Sequence, residues 1–175
     1  MSGWIFSLIT FPGVIVHEIA HLLMCRVAGV RVIKVCYFRF GNPAGYVVHE
    51  APRRAAYGIL IGVGPFLVNS VLGGLVAARV TVPTVSFIPA SVPDFVLVWL
   101  GLAIALHAFP SRQDAKAIWQ SLWSPGANIL ERLVGVPIVG LIYLGALGSY
   151  LRLDILYGLA VALLAPGLVE KFFGA

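Results

Sequence analysis

The sequence predicts an all-α polytopic membrane protein of about five transmembrane helices, carrying a short membrane-associated β-hairpin. Three observations lead there. Of the 175 residues 60% are apolar and 11% are charged, with a mean hydropathy of +0.98, whereas a soluble domain carries about 25% charged residues. Apolar runs long enough to cross a hydrocarbon core, which takes about 20 residues, recur along the chain. Between the first two runs, alternating residues flank Gly41-Asn42-Pro43-Ala44-Gly45, the pattern of two short strands around a turn.

The first run covers residues 3 to 25, and Pro12 is positioned to kink it. Its N-terminal end has no basic stretch and no small-residue cleavage site, so it is expected to be retained rather than removed as a signal peptide. Residues 26 to 54 change character, with six basic side chains and alternation over Val30 to Phe40 and Tyr46 to His49. An unpaired strand edge cannot face lipid, so this hairpin, residues 31–49, belongs at the interface or folded back onto the helices. The second span, Ala55 to Ala78, contains no charged residue. Gly58 and Gly62 give it a small-xxx-small face for close packing, and Gly64-Pro65 should break or bend it. Residues 81 to 94, with three prolines, read as a loop, and a third span follows from Phe95 to Phe109. Residues 111–123 place apolar side chains at 115, 118, 119, 122 and 123 opposite polar ones, the spacing of an interfacial amphipathic helix. Two more apolar stretches, Leu133 to Leu151 and Leu153 to Val169, joined by a tight turn near Arg152, read as a helical pair. The expected organisation is a core over residues 1–125 and a C-terminal pair over 126–175.

Five spans assign the basic residues to sides. Arg26, Arg31, Lys34, Arg39, Arg53, Arg54, Arg112, Lys116, Arg132 and Lys171 fall on one side, Arg79 and Arg152 on the other. Ten against two is a strong positive-inside bias, which puts the N-terminus outside and the C-terminus in the cytoplasm of a multi-pass protein. The net charge of +5 is thereby explained by orientation in a bilayer, and no solvated basic face interleaved with aromatics offers a nucleic-acid surface. Cys25 and Cys36 form neither a CxxC pair nor a disulfide framework; they read as buried thiols.

Glu18 is the only formal charge between Gly3 and Met24, and it is flanked by His17 and His21. Polar groups at bilayer depth are costly and need a chemical reason. On a helix the two histidines lie one turn apart, about 40° around the axis, so both reach one metal ion while Glu18 projects beside it. This HExxH spacing is the zinc metalloprotease signature, with two histidine ligands and a glutamate general base. A catalytic zinc site needs a third protein ligand. Asp114 follows directly from the third span, behind Pro110, and is also well placed to cap the next helix with Ser111. His107, one turn before the break, is its rival for the metal and is alternatively an oxyanion donor. Asn69, one turn after Pro65, either satisfies backbone groups freed by that proline or faces substrate and oxyanion.

Three stretches resemble the site-2 protease family of intramembrane zinc metalloproteases: FPGVIVHEIAHLLMCRVAGV at 11–30, GPFLVNSVLGG at 64–74 and HAFPSRQDA at 107–115. The third departs from the family's Leu-Asp-Gly motif, since Gln113 precedes the aspartate and Ala115 replaces the glycine. The resemblance covers roughly residues 4 to 120. It implies Zn2+ held by His17, His21 and Asp114, with Glu18 as base and Asn69 or His107 on the oxyanion. It also implies that an extended transmembrane protein substrate adds to the hairpin at Tyr46, Val47 and Val48, and that cleavage occurs within the lipid bilayer near the cytoplasmic face. A non-catalytic zinc-binding membrane module with a regulatory role is the alternative.

Overall fold

The computed structural model describes residues 3–78, 91–148 and 153–173. The protein is mostly helical, with one two-stranded antiparallel sheet. The first apolar run is two helices, α1 (Gly3–Ile9) and α2 (Phe11–Val27). The break falls at Thr10 and not at Pro12. The Thr10 hydroxyl donates to the Phe6 carbonyl at 2.7 Å, closing α1, while Pro12 sits in the first turn of α2, where a missing N–H costs nothing. Helix α2 therefore runs unbroken through His17-Glu18-Ile19-Ala20-His21. It ends where Gly29 takes φ +64° and Val30 N–H reaches back to the Cys25 carbonyl at 2.8 Å, a left-handed cap that glycine adopts without strain.

That cap launches β1 (Val32–Cys36), which pairs with β2 (Tyr46–His49) through Val32↔His49, Lys34↔Val48, Val35↔Val47 and Cys36↔Tyr46. The first strand is shorter than the alternation predicts. After Cys36 the chain leaves the ladder, and Phe38 stacks on Phe11 and Phe40 instead. Within the connection, Arg39 holds the turn by donating its backbone N–H to Ala44 O at 2.6 Å and its Nε to Pro43 O at 2.9 Å.

Helix α3 (Ala55–Ala78) is the centre of the fold, packed against α2, α4, α5 and α7. It passes through Pro65 without interruption, so the predicted break is absent. Gly58 and Gly62 do provide close packing, against the amphipathic helix: a Cβ on either would collide with Ser121 or Ile118. Among the described residues α3 is the one helix both long and apolar enough to cross a membrane, with Val92–Leu106 and Leu153–Ala165 as shorter apolar helices.

Helix α4 (Val92–Leu106) begins three residues before the expected Phe95. Asp94 Oδ2 accepts from the Ser91 N–H at 2.8 Å and the Ser91 hydroxyl at 2.7 Å, and Pro93 lies in the first turn rather than in a loop. The rest of that predicted loop, and the turn near Arg152, lie outside the described residues. Helix α5 (Arg112–Leu122) buries Ala115, Ile118 and Leu122 against Ala55, Val139 and Ile142. Trp119 and Trp123 stay on its exposed flank, stacked at 5.4 Å. The last helices, α6 (Ile129–Gly148) and α7 (Leu153–Phe173), do not pack chiefly on each other. Helix α6 lies on α5, and α7 lies on α3 and α4, where Tyr157 hydrogen-bonds Ser70 and packs on Phe66 and Phe109.

Candidate metal centre

Two helices, α2 and α5, bring His17, His21 and Asp114 together, with their ligand atoms all within 4.8 Å of one another. His21 Nε2 lies 3.2 Å from His17 Nε2 and 3.2 Å from Asp114 Oδ1, and His17 Nε2 lies 3.9 Å from Asp114 Oδ2. Ligands about 2.0 to 2.1 Å from a tetrahedral zinc stand about 3.3 Å from one another. The donor set fits such an ion, with two of its three separations near that value and the third, His17 to Asp114, wider.

Each histidine is oriented by a backbone carbonyl. His17 Nδ1 donates to His107 O at 2.7 Å, and His21 Nδ1 to Ile61 O at 2.9 Å. A carbonyl can only accept, so the proton is on Nδ1 and the Nε2 lone pair of each neutral ring faces its partner and the carboxylate. Such an arrangement is stable only around a cation, either a proton on one Nε2 or a metal ion. Prolines account for both carbonyls. In a regular helix Ile61 O would accept from residue 65, which is Pro65 and has no N–H. His107 O, at the end of α4, would accept from residue 110 or 111. Pro110 has no N–H, and the Ser111 N–H is taken by Asp114 Oδ2 at 2.6 Å.

Asp114 divides its two oxygens. Oδ2 accepts from the Ser111 N–H and hydroxyl, each at 2.6 Å, while Oδ1 faces His21. The Ser111 hydroxyl in turn accepts the Asp114 N–H at 3.2 Å, a capping box at the start of α5. Burial opposes ionisation of this carboxyl, but with a proton on His21 Nε2 the hydrogen bond and charge of that ring, with His17 and Ser111, outweigh it and hold the group well below the ordinary carboxylate range.

Glu18 is 7% exposed and lies under the hairpin turn. A Cβ placed on Gly45 would fall 2.7 Å from Glu18 Cγ and 2.8 Å from Glu18 Oε1, so glycine is what allows the turn to sit there. Tyr46 follows immediately, and β2 thus begins beside Glu18, with Val47 and Val48 continuing along the strand. In a two-stranded sheet each strand keeps one unpaired edge.

The other two residues singled out in the sequence, His107 and Asn69, lie outside the metal group. His107 is not in the metal group: its Nε2 is 2.7 Å from the Thr10 hydroxyl, and it serves His17 through its backbone. Asn69 is fully buried, and its Nδ2 contacts Gly13 O, Ile104 O and His107 O at 3.1 to 3.3 Å. With its donors spent, it ties α2 to the end of α4 and has none to offer an oxyanion. Its role resembles the backbone-satisfying one expected of it, although the carbonyls belong to neighbouring helices. Sequence reasoning missed Thr10, Gly45 and Ile61; of these only Gly45, in a recognisable turn, carried a local signal. Comparison with protein-family models, curated proteins and solved structures finds no match to this chain.

Proposed function

We propose that this protein is an intramembrane zinc endopeptidase, similar to the site-2 proteases, that cleaves transmembrane segments near the cytoplasmic face. The observation that carries the reading is the convergence of His17, His21 and Asp114 into one group that could hold a metal ion, with Glu18 next to the two histidines on α2. Its membrane setting is supported by exposed apolar side chains on several helices, among them Leu67, Val71 and Leu75 of α3, Phe95 of α4, Leu141 of α6 and Leu163 of α7. The N–H of Ala56 in α3 is held by Glu131 of α6, and Arg132 Nε is held by Leu122 O. The starts of α3 and α6 and the end of α5 therefore lie at one end of the molecule, with their basic residues, as the positive-inside assignment requires. Ile61 is six residues into α3, so His21 binds about 9 Å beyond that end.

In this reading His17, His21 and Asp114 hold the metal. Bound zinc supplies Lewis-acid activation of water and of the scissile carbonyl. Glu18 accepts a proton from the attacking water and passes it to the leaving amine. The free edge of β2, starting beside Glu18, holds an unwound segment of substrate by main-chain hydrogen bonds. The test uses purified protein in detergent, with zinc content by elemental analysis and cleavage of a generic transmembrane substrate with and without chelator. Wild-type protein is expected to hold one zinc and cleave, and Glu18→Gln to hold zinc without cleaving; equal cleavage by both would end the proposal. Zinc without chelator-sensitive cleavage in the wild type would instead make the chain a zinc-binding membrane module.

A further inference from the structure

A cavity of about 470 Å³ lies between the end of α2, the base of the hairpin and the start of α3, and its wall includes Arg31, Arg53, Arg54, Glu50 and Tyr57. It is separate from the metal ligands. Its wall carries three arginines and one glutamate. Arg31 and Glu50 approach to 3.6 Å, but they are 80% and 53% exposed, so water screens the pair and leaves the arginine available. Arg54 also lies near Glu131, whose carboxylate is engaged by the N–H groups of Ala56 and Asn128. Arg53 makes no ion pair among the described residues. The balance is positive, and guanidinium is the side chain whose planar fork matches a phosphate bidentately.

We propose that this cleft binds the phosphate of an anionic phospholipid headgroup. The inference rests on the membrane reading above, which puts the start of α3 at the level of the cytoplasmic headgroups. Three features favour a lipid over a dissolved anion. The cavity is several times larger than a phosphate ion and accommodates a glycerophosphate headgroup. Val27, next to its wall, is 67% exposed, giving an acyl chain an apolar surface to follow. Tyr57 presents a ring that is apolar at its face and polar at its tip, as interfacial aromatics do. A headgroup seated here bridges Arg31, at the foot of β1, to Arg53 and Arg54, at the foot of α3. Anionic lipid thereby fixes the root of the hairpin whose turn lies over Glu18.

The full chain in nanodiscs tests this. Its unfolding midpoint is followed while phosphatidylglycerol is titrated into phosphatidylcholine, and inorganic phosphate is added to a phosphatidylcholine-only sample. The expected result is a rising midpoint with phosphatidylglycerol in wild type and in Lys116→Gln, which removes one exposed positive charge outside the cleft. Arg53→Gln with Arg54→Gln should weaken the apparent lipid affinity roughly fivefold per arginine, while leaving the midpoint in phosphatidylcholine unchanged. Paired Arg53→Lys and Arg54→Lys should lose part of the response, because charge remains without the fork. A full response in the double glutamine variant, or an equal loss in Lys116→Gln, overturns the site. Reproduction of the shift by inorganic phosphate overturns the lipid assignment. Neither zinc nor cleavage enters these readouts, so failure here leaves the metal reading standing, and failure there leaves this one.

Discussion

Pro65→Ala should make the protein more stable and a poorer zinc binder at once. In the native helix Pro65 removes the N–H that would close onto Ile61 O, and His21 Nδ1 takes that carbonyl at 2.9 Å. Alanine restores the competing donor, and the imidazole loses or shares its orienting partner. Loss of such a partner typically costs 10- to 100-fold in metal affinity, about 1.4 to 2.7 kcal/mol. The stability change has the opposite sign. A proline inside a helix costs about 3 kcal/mol relative to alanine. The fully buried Pro65 gives up two methylenes on truncation, worth about 0.8 kcal/mol each, so the zinc-free protein should gain roughly 1 kcal/mol. Zinc affinity is measured by competition with a chromophoric chelator in detergent, and stability by thermal unfolding of the zinc-free form. A variant of unchanged affinity and raised stability would falsify the assignment of Ile61 O as the partner that orients His21.

Two further substitutions separate roles that share a residue or a contact. Ser111→Ala removes the cap alone and should cost about 1 kcal/mol of stability with zinc stoichiometry intact, whereas Asp114→Ala should lose both; equal zinc loss in the two would mean that the cap, and not the carboxylate, builds the site. Gly45→Val drives a side chain into Glu18, so on the proposed zinc-protease reading cleavage should fall on the order of 10²-fold at full zinc content. Undiminished cleavage would show that the turn does not lie against Glu18 during turnover.

The legible parts of this molecule were those with local chemistry. His17, Glu18 and His21 declare themselves by spacing in an apolar run, and Ser111 with Asp114 by the form of a capping box. The same Ser-x-x-Asp form stands at Ser91 and Asp94, but three prolines nearby argued for a loop and hid the start of α4. Pro65 reads in sequence as a break or bend; in the fold the helix continues through it and its consequence is chemical, because the acceptor it frees is taken by a histidine 40 residues away. His107 and Thr10 meet across 97 residues, and no local pattern announces such a pairing. The same holds for Asn69, whose three carbonyls belong to two other helices, and for the independent docking of α6 and α7, which adjacency in sequence suggested would pair.

Asp114 follows His21 by 93 residues, and this separation sets an order of events during synthesis. A ribosome adding about 5 to 20 residues per second exposes the histidine pair several seconds or more before the aspartate. The carbonyls of Ile61 and His107 that orient the two rings also arrive after them. Until α5 is made, the two histidines lack the third member of their group. The His17-His21-Asp114 group is thus completed last, after α2, α3 and α4 have been made.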